Sequence, residues 1–152
     1  MSTVVVHRDV VVAPSTGVPD AGKLERWVTR SLQASGRTDG EITIRVVDES
    51  EITALNQTYR GRSRATNVLS FVADVPVPTQ PQYLGDVVIS APVVAREAIE
   101  QRKSLQAHWA HLVVHGVLHL LGYDHAAAED AAAMETLERE ILADFGYADP
   151  YA

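Results

Sequence analysis

Residues 115 to 125 read His-Gly-Val-Leu-His-Leu-Leu-Gly-Tyr-Asp-His, an HxxxHxxGxxH pattern with three imidazoles at metal-ligand spacing. His115 and His119 lie four residues apart, so on a helix they share one face and can reach one cation. The chain must then turn back to supply a third ligand. Gly122 suits the left-handed position that ends a helix, and His125 follows three residues later. Three protein ligands and one open position describe a catalytic zinc site, whereas a structural site normally has four. Three imidazoles also suit nickel, copper or iron. The residue after His115 departs from the protease pattern HExxH, because Gly116 replaces the Glu that would act as base. Glycine moves no proton and costs about 1 kcal/mol relative to Ala inside a helix. Gly116 has two readings: it leaves room for a strand or a substrate against the metal, or it serves close packing alone.

Other residues could support such a site. His111 stands one turn before His115, with His108 close by, and both are expected to pack or to hydrogen-bond a ligand. Tyr59-Arg-Gly-Arg-Ser-Arg64 holds three arginines in five residues. That is either a solvated basic turn or an anion site, since the guanidinium fork matches phosphate oxygens. Asp86 either orients a ligand or plays a strand-end role. Asp124 either supports His125 or caps the final helix.

These residues need elements to position them. The histidine helix is expected from Ser104 to Leu121, and Trp109, Leu112, Val113, Val114, Val117, Leu118, Leu120 and Leu121 cover its other directions, so it is buried. Strands are expected at residues 3–12, at 41–47 by its period-two alternation, at 66–72 and at 84–90. Helices are expected from Pro19 to Gly36, from Asp48 through Tyr59, from Pro92 to about Gln101, and from Ala126 to about Phe145. Three prolines between Asp74 and Gln82 demand a loop. The order implies an α+β fold, a small mixed sheet of about four strands packed by helices, in one domain spanning 1–152.

Composition bounds the rest. At 152 residues, 46% hydrophobic and 22% charged, the chain can bury a core and is not disordered. No run approaches the roughly 18 apolar residues of a membrane span, and the N-terminus lacks the marks of a signal peptide. There are no cysteines, so only His, Asp and Glu can ligate a metal. Eight of the 20 acids lie from Asp124 onward with one of the 13 bases, Arg139, which leaves 12 of each sign in residues 1–123. The net charge of −7 therefore belongs to one C-terminal segment, expected to be a solvated helix face. The neutral part, with Arg60, Arg62 and Arg64, is the surface expected to face a nucleic acid.

Over about residues 40 to 151 the chain resembles the YbeY-type endoribonucleases, or rRNA maturation factors. The likeness rests on Leu55-Asn-Gln-Thr-Tyr-Arg60, Thr66-Asn-Val-Leu-Ser-Phe71, Leu84-Gly-Asp-Val-Val-Ile89, His108-Trp-Ala-His111 and His115 to His125. Met134-Glu-Thr-Leu-Glu138 and Gly146-Tyr-Ala-Asp-Pro-Tyr151 add to it. The resemblance implies a zinc-dependent, single-strand-specific endoribonuclease of the bacterial cytoplasm. It implies action on ribosomal RNA, notably the 3′ end of the small-subunit RNA, and in ribosome quality control, with the small subunit or assembly factors as partners. It assigns His115, His119 and His125 to one zinc ion and makes Arg60 and His115 catalytic; Arg62 and Arg64 are candidate RNA contacts on the ground of their charge alone. Where the family usually has Pro after Ser-Phe, this chain has Val72, which leaves the local loop path open. Two rival readings are a non-catalytic, zinc-containing ribosome-assembly factor and a metalloprotease.

Overall fold

A computed structural model describes residues 3–13, 17–61, 66–73, 81–123 and 127–151, with the backbone alone at Arg60. The elements run β1 (Val4–Val10), α1 (Ala21–Ala34), β2 (Gly40–Val47), α2 (Glu49–Arg60), β3 (Val68–Val72), β4 (Tyr83–Ser90), α3 (Ala91–Glu100), α4 (Leu105–Leu120) and α5 (Ala128–Asp144). Local chemistry sets the helix starts. The side chains of Asp20, Asp48 and Ser104 accept the backbone N–H groups of Lys23, Glu51 and Ala107, and so cap α1, α2 and α4. Pro92 stands in the first turn of α3, where its missing N–H costs nothing. The cap position of α5 belongs to Ala127, which makes no side-chain cap hydrogen bond.

The sheet has the order β1-β2-β4-β3. β1, β2 and β4 are parallel, and β3 returns antiparallel on the outer edge of β4. β3 starts two residues later than its sequence suggests, but Ser90 N–H still reaches the Asn67 carbonyl at 3.1 Å. At the other end Val72 pairs with Gly85, so the strand carries on through Val72.

Each face of the sheet has its own helices. Ile42, Ile44, Val46, Val87 and Ile89 point to α1, α4 and α5, which enclose the fully buried Trp27 and Trp109. Val47, Leu69 and Val88 point the other way and meet Ile52 and Leu55 of α2. Burying each such side chain stabilises the fold by about 1.5–3 kcal/mol, so apolar packing is the main force that holds α4 on the sheet. The histidines of α4 meet α3 through His108 and α5 through His111 and His115.

Candidate metal centre

α4 ends in a motif that positions ligands. Gly122 has φ +96°, its N–H bonds the His119 carbonyl at 3.1 Å, and Tyr123 N–H bonds the Leu118 carbonyl at 3.1 Å. This Schellman closure turns the chain back across its own last turn. It brings the Tyr123 carbonyl to 3.0 Å from His119 Nδ1. A carbonyl only accepts, so His119 carries its proton on Nδ1 and directs Nε2 away from the backbone.

His115 is oriented by a different device. Its Nδ1 lies 3.2 Å from Oε2 of Glu138 on α5. That oxygen also takes the Nε2–H of His111 at 2.8 Å, and Oε1 takes the hydroxyl of Tyr151 at 2.8 Å. Burial raises the Glu138 carboxyl, but the hydrogen bonds and the electrostatic influence of His111 and His115 outweigh it, and the group is held at about 2. It is therefore an acceptor, and His115 Nδ1 is the donor. Burial and the neighbouring Glu138 carboxylate push the Tyr151 hydroxyl up, so it stays protonated.

Both rings thus present Nε2 to one point, and the two Nε2 atoms lie 3.0 Å apart. With both protons on Nδ1, two acceptor nitrogens face each other, an arrangement that favours a cation between them. Two nitrogens bound tetrahedrally at 2.0–2.1 Å from zinc would stand about 3.3 Å apart. The pair fits such an ion after a shift of a few tenths of an ångström. The ring centroids are 4.5 Å apart at 81°, so the planes are crossed and not stacked.

A second arrangement involves the same ring. His111, His115 and Glu138 bring three ligand-type atoms within 4.8 Å of one another and could also hold an ion. Glu138 is 0% exposed there, and both of its oxygens already accept hydrogen bonds. A metal in that pocket would break them, whereas one between the Nε2 atoms keeps them. The Nε2 side is the better cation position, with Glu138 behind His115 as its support.

Gly116 is explained by packing. A Cβ there would lie 2.6 Å from Val87 Cγ1 and 3.3 Å from both Ser70 Oγ and Val68 Cγ2. Ser70 also donates its hydroxyl to the Gly116 carbonyl at 2.8 Å. The missing side chain makes room for β3 and β4, which lets the helix sit against the sheet. His108 likewise has a structural partner, with its Nε2 2.9 Å from Glu97 Oε1, which Asn67 also contacts at 3.1 Å.

The other candidates fall differently. Asp86 pairs with Phe71, accepts the Tyr83 hydroxyl and faces α2, on the side of the sheet away from α4, so it does not orient a ligand at the histidines. Arg60 closes α2, where Gly61 takes the left-handed cap. The preceding ring, Tyr59, packs edge-on against Phe71 at 5.1 Å, and from the opposite face Leu120 packs at Gly85, beside the Phe71 carbonyl. The ends of α2 and α4 therefore reach the same end of the β3–β4 pair. A groove of about 510 Å³ opens there, lined by Arg37, Gln82, Tyr83, Leu120, Gly122 and Tyr123. Arg62, Arg64, Asp124 and His125 lie outside the described residues, as does the Arg60 side chain.

Sequence reasoning missed Glu138, Tyr151 and the Tyr123 carbonyl. Glu138 left one signal. It falls among Met134, Ile141 and Leu142 on the apolar stripe of α5, where a charge is out of place. The expected solvated acidic face holds for Glu129, Asp130, Glu140, Asp144 and Asp149, but not for Glu138.

Fold and site together define a class: α+β proteins with a histidine cluster that could hold a metal ion, on a helix buried against a mixed sheet. A family model described as Endoribonuclease YbeY matches residues 16–146, and the chain belongs to that family. It is 53% identical over 149 residues to the endoribonuclease YbeY of Pseudomonas syringae, covering 95% of this chain and 87% of that one. It is 54% identical over 154 residues to the endoribonuclease YbeY of Stenotrophomonas maltophilia, covering 97% and 95%. The solution structure of TM1509 from Thermotoga maritima shares the fold, with a TM-score of 0.59 at 23% identity over 95% of this chain and 97% of that one. No helix among the described residues is long and apolar enough to cross a membrane.

Proposed function

We propose that this chain is a zinc-dependent, single-strand-specific endoribonuclease of the bacterial cytoplasm. In this reading it matures ribosomal RNA, the 3′ end of the small-subunit RNA in particular, and serves ribosome quality control together with the small subunit or its assembly factors. The observation that carries the metal-dependent part is the His115–His119 pair, with both Nε2 atoms facing at 3.0 Å and both Nδ1 protons engaged. The RNA substrate follows from the relatives, which are endoribonucleases. His115, His119 and His125 would hold one ion per chain. When bound, zinc supplies Lewis acidity toward a phosphate oxygen or a water. The other roles belong to this chain's residues. Arg60 neutralises the scissile phosphate through its guanidinium, and His115 holds its ring against the reacting centre. Arg62 and Arg64 contribute charge for the RNA backbone.

The environment of Gly116 weighs against peptide cleavage, because a protease Glu at that position would run into Val87. Two assays on protein purified without a His-tag or added metal test the reading. Near one zinc per chain, lost in His119→Ala, with cleavage of single-stranded but not duplex RNA, is the expected result. Arg60→Glu should keep the zinc and lose the cleavage. Cleavage of unstructured protein instead of RNA, or unimpaired RNA processing in Arg60→Glu, would refute it.

A further inference from the structure

The two rings of the pair are anchored by unlike means. His119 is held by a backbone carbonyl that the end of α4 supplies by its own geometry. His115 is held by a side chain from another helix, 23 residues further on. We propose that Glu138 is the positioning residue of the metal centre, aiming His115 Nε2 at His119, and that Tyr151 completes this device from the C-terminal tail. The proposal rests on the reading that His115 and His119 hold the ion.

Three observations carry it. The carboxylate is wholly buried, and three donors converge on it: His115 Nδ1 and His111 Nε2 on one oxygen, Tyr151 on the other. Burying a carboxylate is costly unless it is fully partnered, so the site must be assembled as a unit. The tail is tied down over it. Arg139 lies 5.4 Å from the Tyr151 ring centre and binds Asp149 at 3.0 Å, while Asp149 also accepts the Tyr151 N–H at 2.8 Å. The Tyr151 ring meets His111 edge-on, with centroids 5.5 Å apart. Finally, His115 uses Nδ1 for Glu138 and so has only Nε2 for a metal. A carboxylate in that place fixes the tautomer, stops the ring from turning and makes the ligand more basic. Glu138 thus acts through His115 and not on the substrate.

Chelator-competition titration of zinc on the full chain tests this, with cobalt spectroscopy as a second readout. Glu138→Gln keeps the size and an acceptor but removes the charge. It should weaken zinc binding by about 10- to 100-fold. Tyr151→Phe should weaken it in the same direction by a smaller factor. At saturating cobalt the ligand-field bands of Glu138→Gln should match the wild type, because the ligands are the same. Zinc affinity within twofold of wild type in a folded Glu138→Gln protein would overturn the proposal by reducing the hub to packing. Altered cobalt bands would overturn it as well, by making Glu138 a ligand itself. Should Glu138→Gln not fold, Tyr151→Phe carries the test, and unchanged affinity there would sink the idea. Failure of the underlying reading looks different: His119→Ala would then bind zinc as tightly as the wild type.

Discussion

Two carboxylates, Glu97 and Glu138, hold histidines of α4 two turns apart, at His108 and at His115. Near the start of the helix, Glu97 of α3 meets Nε2 of His108, which is 2% exposed. Burial pushes the His108 ring below its ordinary value despite Glu97, so it packs as a neutral group, and Asn67 joins the same carboxylate oxygen. Near the end of the helix, Glu138 meets Nδ1 of His115, and Nε2 of that ring goes on to His119. The partners are of the same chemical type in both places. The difference lies in which ring nitrogen the carboxylate takes. When Glu holds the outer nitrogen, the contact closes a gap between α3 and α4. When it holds the inner one, the outer nitrogen is aimed at a neighbour, here His119, whose own inner nitrogen the Tyr123 carbonyl holds.

The sharpest test of this contrast removes one ring from each end. His119→Ala should lower zinc affinity by more than the roughly 100-fold that loss of a supporting residue can bring. His108→Gln should leave zinc stoichiometry and affinity within about twofold, read in the same titration. The comparison fails if His108→Gln loses the metal. The next effect concerns the packing that both contacts depend on. Gly116→Ala gains about 1 kcal/mol of helix propensity but drives a methyl into Val87, an overpacking cost of typically 1–3 kcal/mol. We expect a net loss of stability in denaturant titration, and an unchanged or raised midpoint would show that β3 and β4 give way easily. Stability should also fall in His108→Gln, by about 1 kcal/mol, because one buried hydrogen bond to a charged group is weakened. The smallest effect is expected at the helix start. Ser104→Ala removes the cap of α4 and should cost about 1 kcal/mol or less with zinc affinity intact. A fall in affinity there would mean that the two ends of the helix are coupled.

Much of the framework was legible because its signals are local. The alternation of residues 41–47 and the caps at Asp20, Asp48 and Ser104 sit where the elements start and stop. The histidine spacing was legible for the same reason, since four residues on a helix fix two rings one turn apart. Gly122 did what its position promised, taking a left-handed conformation after α4. Asp86 was not legible. Its neighbours in the chain say that it lies on a strand, but only the pairing of Phe71 with Asp86 and of Ser70 with Val87 says which face it takes. Glu138 was hidden by composition, being one acid among eight in an acidic segment.

The sequence by itself determined the elements, the pair His115–His119 and the absence of a base at position 116, because each depends on residues within a few positions of one another. Tertiary structure alone decided what stands behind the pair. Packing α5 against α4 brings Glu138 to His111 and His115, and folding the tail back adds Tyr151. It also decided that Gly116 serves the sheet, since the atoms that would meet its side chain belong to Val68, Ser70 and Val87. These contacts join residues tens of positions apart, and local chain chemistry carries no record of which distant faces will meet.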